Sequence, residues 1–164
     1  MIRQVEPKDV QEICTMYNYY IAHTTVTFEE EPVPVAEMQK RINEVTTAYP
    51  WLVYEENGTI TGYAYASRWK PRAAYKHSVE LSIYIANDKL GKGFGRKLYQ
   101  ALLDELKKKD VHAMIGGMSL PNEPSRKLHE SLGFRKIAEF KEVGYKFQQW
   151  IDVGYWELII KRNN

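Results

Sequence analysis

The stretch that most constrains this chain runs from His77 to Leu106: an alternating strand, a glycine-rich turn and a helix with one apolar stripe. Val79, Leu81, Ile83 and Ile85 fall on one face of the strand, and Glu80, Ser82 and Tyr84 on the other. That is the period-two pattern of a strand with two different environments. Gly91-Lys92-Gly93-Phe94-Gly95-Arg96 follows, and then Phe94, Leu98, Leu102 and Leu106 recur at helical spacing. Glycines let successive backbone N–H groups turn toward an anion without interference from a β-carbon. The start of the helix adds the positive end of its dipole, and Lys92 and Arg96 add full charge. The arrangement suits a pyrophosphate, and it is also compatible with an ordinary turn before a helix. It lacks the Lys-Ser/Thr ending of a Walker A loop, and it lies too late in the chain for an N-terminal Rossmann unit.

Other elements follow from local signals. Ile2 to Val5 reads as a short strand. Asp9 is placed to cap a helix with apolar positions Val10, Ile13, Tyr17 and Ile21. Residues 23–34 read as an ordered loop, and Val35 to Thr47 as a second helix. Trp51 to Glu55 and Thr59 to Ser67 form a hairpin through Asn57-Gly58. Arg68 to Lys76 (RWKPRAAYK) is a basic, aromatic loop. Ala113 to Met118 is a strand, and Asn122 to Leu132 a short helix stopped by Gly133. Strands near Arg135 to Val143 and Trp150 to Lys161 complete the chain. Helices interrupting a mostly antiparallel set of strands predict an α+β (mixed α/β) fold, one domain over residues 1–164.

Composition excludes several classes. No apolar run has transmembrane length, the N-terminus lacks the apolar segment of a signal peptide, and Cys14 is the only cysteine. A cytoplasmic setting without membrane partners is expected. A net charge of +2 and a pI near 8.5 are too small an excess to indicate nucleic acid. The basic run Lys107 to Lys109 reads as a solvated helix end. The four histidines are scattered without metal-ligand spacing, so no metal is expected.

The order strand, G-x-G turn, helix, strand, Asn, short helix ending Leu132-Gly133-Phe134 resembles the GNAT superfamily of N-acetyltransferases, and more closely the phosphinothricin acetyltransferase family. The matching stretches are Tyr17-Asn18, Thr25 to Phe28, Tyr63-Ala64, Arg72 to Tyr75, Ser78 to Tyr84, Gly91 to Arg96, Leu120-Pro121-Asn122 and Leu128-His129-Glu130, with Val143-Gly144, Lys146, Trp150 and Asp152-Val153. They span the whole domain. The resemblance implies a central twisted, mostly antiparallel sheet flanked by helices, with splayed central strands that hold acetyl-CoA as co-substrate. It also implies transfer of acetyl to the amine of a small amino acid or analogue, such as phosphinothricin or methionine sulfoximine, by direct attack. One departure is Leu90, where the superfamily pattern begins with Gln or Arg.

Direct attack needs a neutral amine, a polarised thioester carbonyl and a stabilised thiolate. Glu80, in an otherwise apolar strand, is the candidate base, or it binds the substrate ammonium. His129 stands where many of these enzymes carry a tyrosine acid, and it is either catalytic or structural. Backbone groups of Ile83, Tyr84 and Ile85 are expected to pair with the pantetheine amides, as a peptide adds to a sheet edge. Gly91, Lys92, Gly93, Phe94, Gly95 and Arg96 are expected to hold the pyrophosphate. Asn122 either bonds the pantetheine or caps its helix, and Ser131 either touches the cofactor or ends the turn. The acceptor pocket is expected from Phe28, Arg72, Ala73, Ala74 and Tyr75, with Arg72 suited to an acceptor carboxylate or phosphinate. Trp69, Trp150 and Trp156 are packing or interface residues, and a homodimer with Trp150 near the contact is expected. Two other readings stay open: a non-catalytic acyl-CoA-binding module, and an acetyltransferase for protein or peptide amines.

Overall fold

The computed structural model describes residues 1–161, so the last three residues of the expected 1–164 domain lie outside it. Seven strands form one sheet. In chain order they are β1 (Ile2–Gln4), β2 (Trp51–Glu56), β3 (Thr59–Arg68), β4 (Ser78–Ile85), β5 (Ala113–Ser119), β6 (Arg135–Lys146) and β7 (Gln149–Ile159). Their order across the sheet is β1-β2-β3-β4-β5-β7-β6. All pairings are antiparallel except β4 with β5. The helices are α1 (Val10–His23), α2 (Val35–Thr46), α3 (Phe94–Lys107) and α4 (Glu123–Ser131). The expected mixed, mostly antiparallel sheet flanked by helices is therefore the observed one.

The parallel pair matters most. β4 and β5 are in register only over Ser78–Glu80 against Ala113–Ile115. Beyond that point the strands part, so the second half of β4 has no neighbour on one edge. The Tyr20 hydroxyl takes the Ile85 carbonyl at 2.6 Å, and the other backbone groups on that edge are left for another partner.

The sheet buries both faces, as the alternation in β4 requires. Val79, Leu81 and Ile85 pack on Leu98, Leu102 and Leu106 of α3, together with Phe134 and Trp156. On the other face, Trp51, Val53 and Tyr63 pack on Ile13, Tyr17 and Ile21 of α1 and on Met38 and Ile42 of α2. Aromatic rings run across this second face: Trp51 stacks on Tyr65 at 4.0 Å, and Tyr63 lies over Tyr84 at 5.2 Å.

One local expectation fails. Asp9 does not cap α1 with its side chain. It ends a 3-10 turn over Pro7–Asp9, where its carboxylate accepts from Glu6 N–H at 2.7 Å and from both guanidinium arms of Arg3 at 2.7 and 2.8 Å. An arginine from β1 outcompetes the helix amides because a charge-assisted, two-pronged bond is the stronger one. The basic run ends α3 as expected, and Lys107 and Lys108 pair with Asp104 and Glu105 one turn back.

Candidate active site

The parting of β4 from β5 opens a cavity of about 580 Å³ that reaches both sheet faces. Glu80, Ser82 and Tyr84 enter from one side of β4, and Leu81 and Ile83 from the other. Gly117, Met118 and Ser119 of β5, Asn122, Ser125 and His129 around α4, Phe140 and Val143 of β6, Val153 and Tyr155 of β7, and Val26, Thr27 and Phe28 from the loop after α1 complete the walls. A cavity of this size holds a small-molecule ligand, and a few convergent polar groups set its chemistry.

Glu80 is half-buried, pairs in register with Ser67 of β3, and stands beside the last residue of the parallel pairing, where the gap begins. Burial raises its pKa above the usual glutamate value, with Lys70 opposing. A carboxyl group that resists ionisation is a better proton acceptor near neutral pH. Its charge is felt by two tyrosines, Tyr99 and Tyr155, both pushed up chiefly by burial.

His129 lies on the opposite face and is buried. Its Nδ1 is 2.8 Å from the Ser125 carbonyl, which can only accept, so Nδ1 carries the hydrogen. Nε2 therefore accepts from the Tyr99 hydroxyl at 2.8 Å. Burial lowers the pKa of the imidazole, keeping it neutral. Both ring nitrogens are engaged within the fold, and no lone pair is left for an amine proton. Of the two roles expected for His129, this geometry favours the structural one.

Asn122 is the N-cap of α4, and its Oδ1 accepts from Ser125 N–H at 3.2 Å. It also lines the cavity, so the cap fixes a side chain whose Nδ2 donors remain for a ligand carbonyl. Ser131 is at the rim instead. Its hydroxyl donates to Leu128 O at 2.8 Å and accepts from Arg96 at 2.5 Å, tying the end of α4 to the start of α3.

The glycine-rich turn sits beyond the end of β4, outside the walls of the cavity. Gly91 and Gly93 have φ of 74° and 81°, the left-handed region that favours glycine, and Gly93 is the N-cap of α3. Nothing lies within 4 Å of where a β-carbon would stand on either, so it is backbone conformation and not crowding that calls for glycine. Lys92 donates to Asp88 O at 3.0 Å. Phe94 packs edge-on against Tyr54 at 5.0 Å, and Ile85 is buried beneath α3. The turn, the helix start and the unpaired edge of β4 thus form one continuous rim.

The expected acceptor residues divide. Phe28 lines the cavity, whereas Arg72, Ala73, Ala74 and Tyr75 form an exposed 3-10 turn that does not. Within one chain Arg72 is not brought to Glu80. Trp156 is core, Trp69 packs edge-on against Tyr155, and Trp150 is 67% exposed. Tyr155, Tyr99, Ser125 and Ser119 were missed from the sequence. Ser125 lies one helical turn before His129 and Tyr155 pairs with Gly117 across β5 and β7, signals that need the register to be read.

The chain matches the family model for the acetyltransferase (GNAT) domain over residues 2–154. It is 36% identical to the phosphinothricin N-acetyltransferase of Streptomyces viridochromogenes, covering 95% of this chain and 85% of that one. It is 35% identical to the L-methionine sulfoximine/L-methionine sulfone acetyltransferase of Salmonella typhimurium, covering 96% and 92%. The solved structure of a phosphinothricin acetyltransferase from Sinorhizobium meliloti, in complex with AcCoA, superposes with a TM-score of 0.94 at 31% identity, covering 98% of this chain and 88% of that one.

Proposed function

The chain belongs to the GNAT acetyltransferase family and is an N-acetyltransferase, and we propose from that membership that it moves acetyl from acetyl-CoA to the amine of a small amino acid or analogue of the phosphinothricin or methionine sulfoximine type. The observation that carries the acceptor reading is a half-buried carboxylate, Glu80, lining a 580 Å³ cavity fit for a small molecule. A binding module has no use for a carboxyl group with a raised pKa there.

Acetyl-CoA supplies an activated thioester carbonyl. The free edge of β4 offers the outward backbone groups of Ile83 and the Ile85 N–H to the pantetheine amides, while Tyr84 pairs with Tyr63 of β3 and the Ile85 carbonyl accepts from the Tyr20 hydroxyl at 2.6 Å; Asn122 offers an amide. The Gly91–Arg96 rim offers turned backbone N–H groups and the start of α3 to the pyrophosphate. Leu90 in place of a polar residue leaves that grip to the backbone. Glu80 takes the ammonium proton, directly or through a water, and the freed lone pair attacks the carbonyl; the C–S bond then breaks, and the departing thiolate takes up the proton that the new amide nitrogen sheds. His129 and Tyr99 hold the α4 side of the cavity, and we assign His129 no proton transfer. The test is thiol release from acetyl-CoA against amino acids, analogues, polyamines and peptides. Turnover confined to small amino acids supports the reading, and turnover confined to peptides overturns it.

We also infer a homodimer and a cytoplasmic setting. β6 is an edge strand, and Phe140, Val143, Tyr145, Phe147 and Trp150 are exposed along the β6–β7 hairpin. Apolar side chains clustered on an unpaired edge mark a contact surface. A second copy would also provide a route by which an exposed Arg72 turn meets an acceptor. Sedimentation showing only monomer at micromolar concentration removes this inference.

A further inference from the structure

Val26, Thr27 and Phe28 line the Glu80 side of the cavity, yet they belong to a segment without helix or strand. Such a segment keeps a shape only if its backbone groups find partners elsewhere. Lys146, the last residue of β6, is 2% exposed, and its Nζ donates to Thr24 O and to Thr27 O, both at 2.8 Å. These partners lie 122 and 119 residues away in the chain. Thr24 directly follows α1, where unpaired carbonyls carry the negative end of the helix dipole, so an ammonium is well suited there. Burial lowers the pKa of Lys146, and Glu30 and Glu29 act against that from further off.

The same strand fastens the loop a second time. A β-carbon on Gly144 would stand 2.5 Å from the Phe28 ring, so β6 leaves out a side chain where that ring packs. The remaining ties come from the helices and β5. The Tyr17 hydroxyl bonds Thr27 Oγ1 at 2.9 Å and also bonds Glu29, which Arg41 grips at 2.7 and 2.9 Å. Thr25 Oγ1 meets Ser119 Oγ at 3.3 Å.

We propose that Lys146 is a positioning residue for acceptor recognition: its buried ammonium gathers the Thr24 and Thr27 carbonyls beyond the end of α1 and so holds Val26, Thr27 and Phe28 as a fixed wall of the cavity. No apolar side chain could satisfy two carbonyls at once, which explains a buried lysine that touches neither the Gly91–Arg96 rim nor Glu80. This inference rests on the acetyltransferase reading and adds to it a residue outside the cavity that shapes one substrate's half.

The experiment compares the parent enzyme with Lys146→Met and Gly144→Ala, the second of which keeps the ammonium and displaces only the Phe28 ring. Lys146→Met is expected to raise acceptor KM roughly tenfold with kcat within about threefold, the pattern of lost uniform binding. Acetyl-CoA affinity by calorimetry should be unchanged, and backbone amide exchange over residues 24–29 should quicken. Gly144→Ala should give the same split with a smaller rise. A folded Lys146→Met with unaltered acceptor KM overturns the proposal, as does an equal loss of acceptor and acetyl-CoA binding. If Lys146→Met shows no cooperative melting, Gly144→Ala decides, and an unmoved acceptor KM there overturns the acceptor wall. A parent enzyme that turns over no acceptor condemns the function instead, which separates the two failures.

Discussion

Two regions of the site, the glycine-rich rim beyond the cavity and one wall of the cavity itself, are built in opposite ways. The Gly91–Arg96 rim is made by six consecutive residues, and its shape comes from positive φ at Gly91 and Gly93 and from the start of α3. The Thr24–Phe28 wall is irregular by itself and is held by Tyr17 of α1 and by Lys146, Ser119 and Gly144, the last three more than ninety residues on. A site for a cofactor common to many enzymes can be a portable local motif. A wall that fits one acceptor has to be set by the whole fold. The comparison predicts that damage at the rim appears in acetyl-CoA binding alone, damage at the wall in acceptor KM alone, and damage at Glu80, where the two meet, in neither.

The largest effect belongs to Glu80→Gln. It should lower kcat by roughly 10²–10⁴-fold, the usual worth of a positioned general base, with acetyl-CoA affinity intact. The parent enzyme should lose activity as pH falls through the Glu80 pKa, because only the carboxylate accepts a proton. That acid limb lies above the ordinary value of 4.5, since burial raises the group. Full kcat in the glutamine variant at neutral pH removes Glu80 as base.

Next comes Gly93→Val. A β-branched residue at φ 81° costs about 1–2 kcal/mol of backbone strain, which would move the turn and weaken acetyl-CoA binding roughly tenfold. Acceptor KM should not change. Calorimetry on the folded variant checks the first part and steady-state kinetics the second. Unchanged acetyl-CoA affinity would break the comparison at its rim.

Smaller still is Phe28→Ala, which strips the wall of its ring without touching the Lys146 clamp. Losing about 1 kcal/mol of contact should raise acceptor KM roughly fivefold and leave acetyl-CoA binding alone. Combined with Gly93→Val, the two losses should add, as independent sites do. Strong coupling between them would mean that rim and wall are one structure.

This contrast also explains what could be read from the sequence. Strand and helix periods, the Asn57-Gly58 hairpin and the glycine stop at Gly133 are local, and the elements they predict are the ones observed. The glycine turn stood out by its own pattern, and whole-chain similarity supplied Glu80 and Asn122 and chose between the turn's two readings. Asp9 misled because a capping residue was judged without the arginine that competes for it, and Arg3 reaches it from a neighbouring strand. Lys146 was visible only as a matching letter, since no local signal distinguishes a buried lysine from a solvated one. The Arg72 turn was assigned to the pocket from its chemistry, and nothing in its own nine-residue segment reports which way it faces. Tyr99 and Tyr155 need register and helix packing before they can be placed near Glu80.

The smallest prediction concerns His129, and it tests whether a polar group inside the cavity wall serves structure alone. The imidazole is buried and neutral, with Nδ1–H donating to Ser125 O and Nε2 accepting from the Tyr99 hydroxyl. Its pKa in the fold lies below the usual 6.5, whereas the unfolded chain restores that value. As pH falls below 6.5 the unfolded state takes up a proton first, so acid favours unfolding until the folded-state pKa is passed. Stability should therefore be full above about pH 7 and decline below 6.5, by at most about 1.4 kcal/mol for each pH unit between the two values. His129→Gln should flatten this slope in melts taken from pH 7.5 to 5.5, at some fixed cost from the altered bonds to Ser125 and Tyr99. It should leave the acid limb of kcat/KM where Glu80 sets it. If the variant instead moves that limb while its melting curve keeps the parent's pH slope, the imidazole takes part in the chemistry, and the wall on the α4 side is catalytic after all.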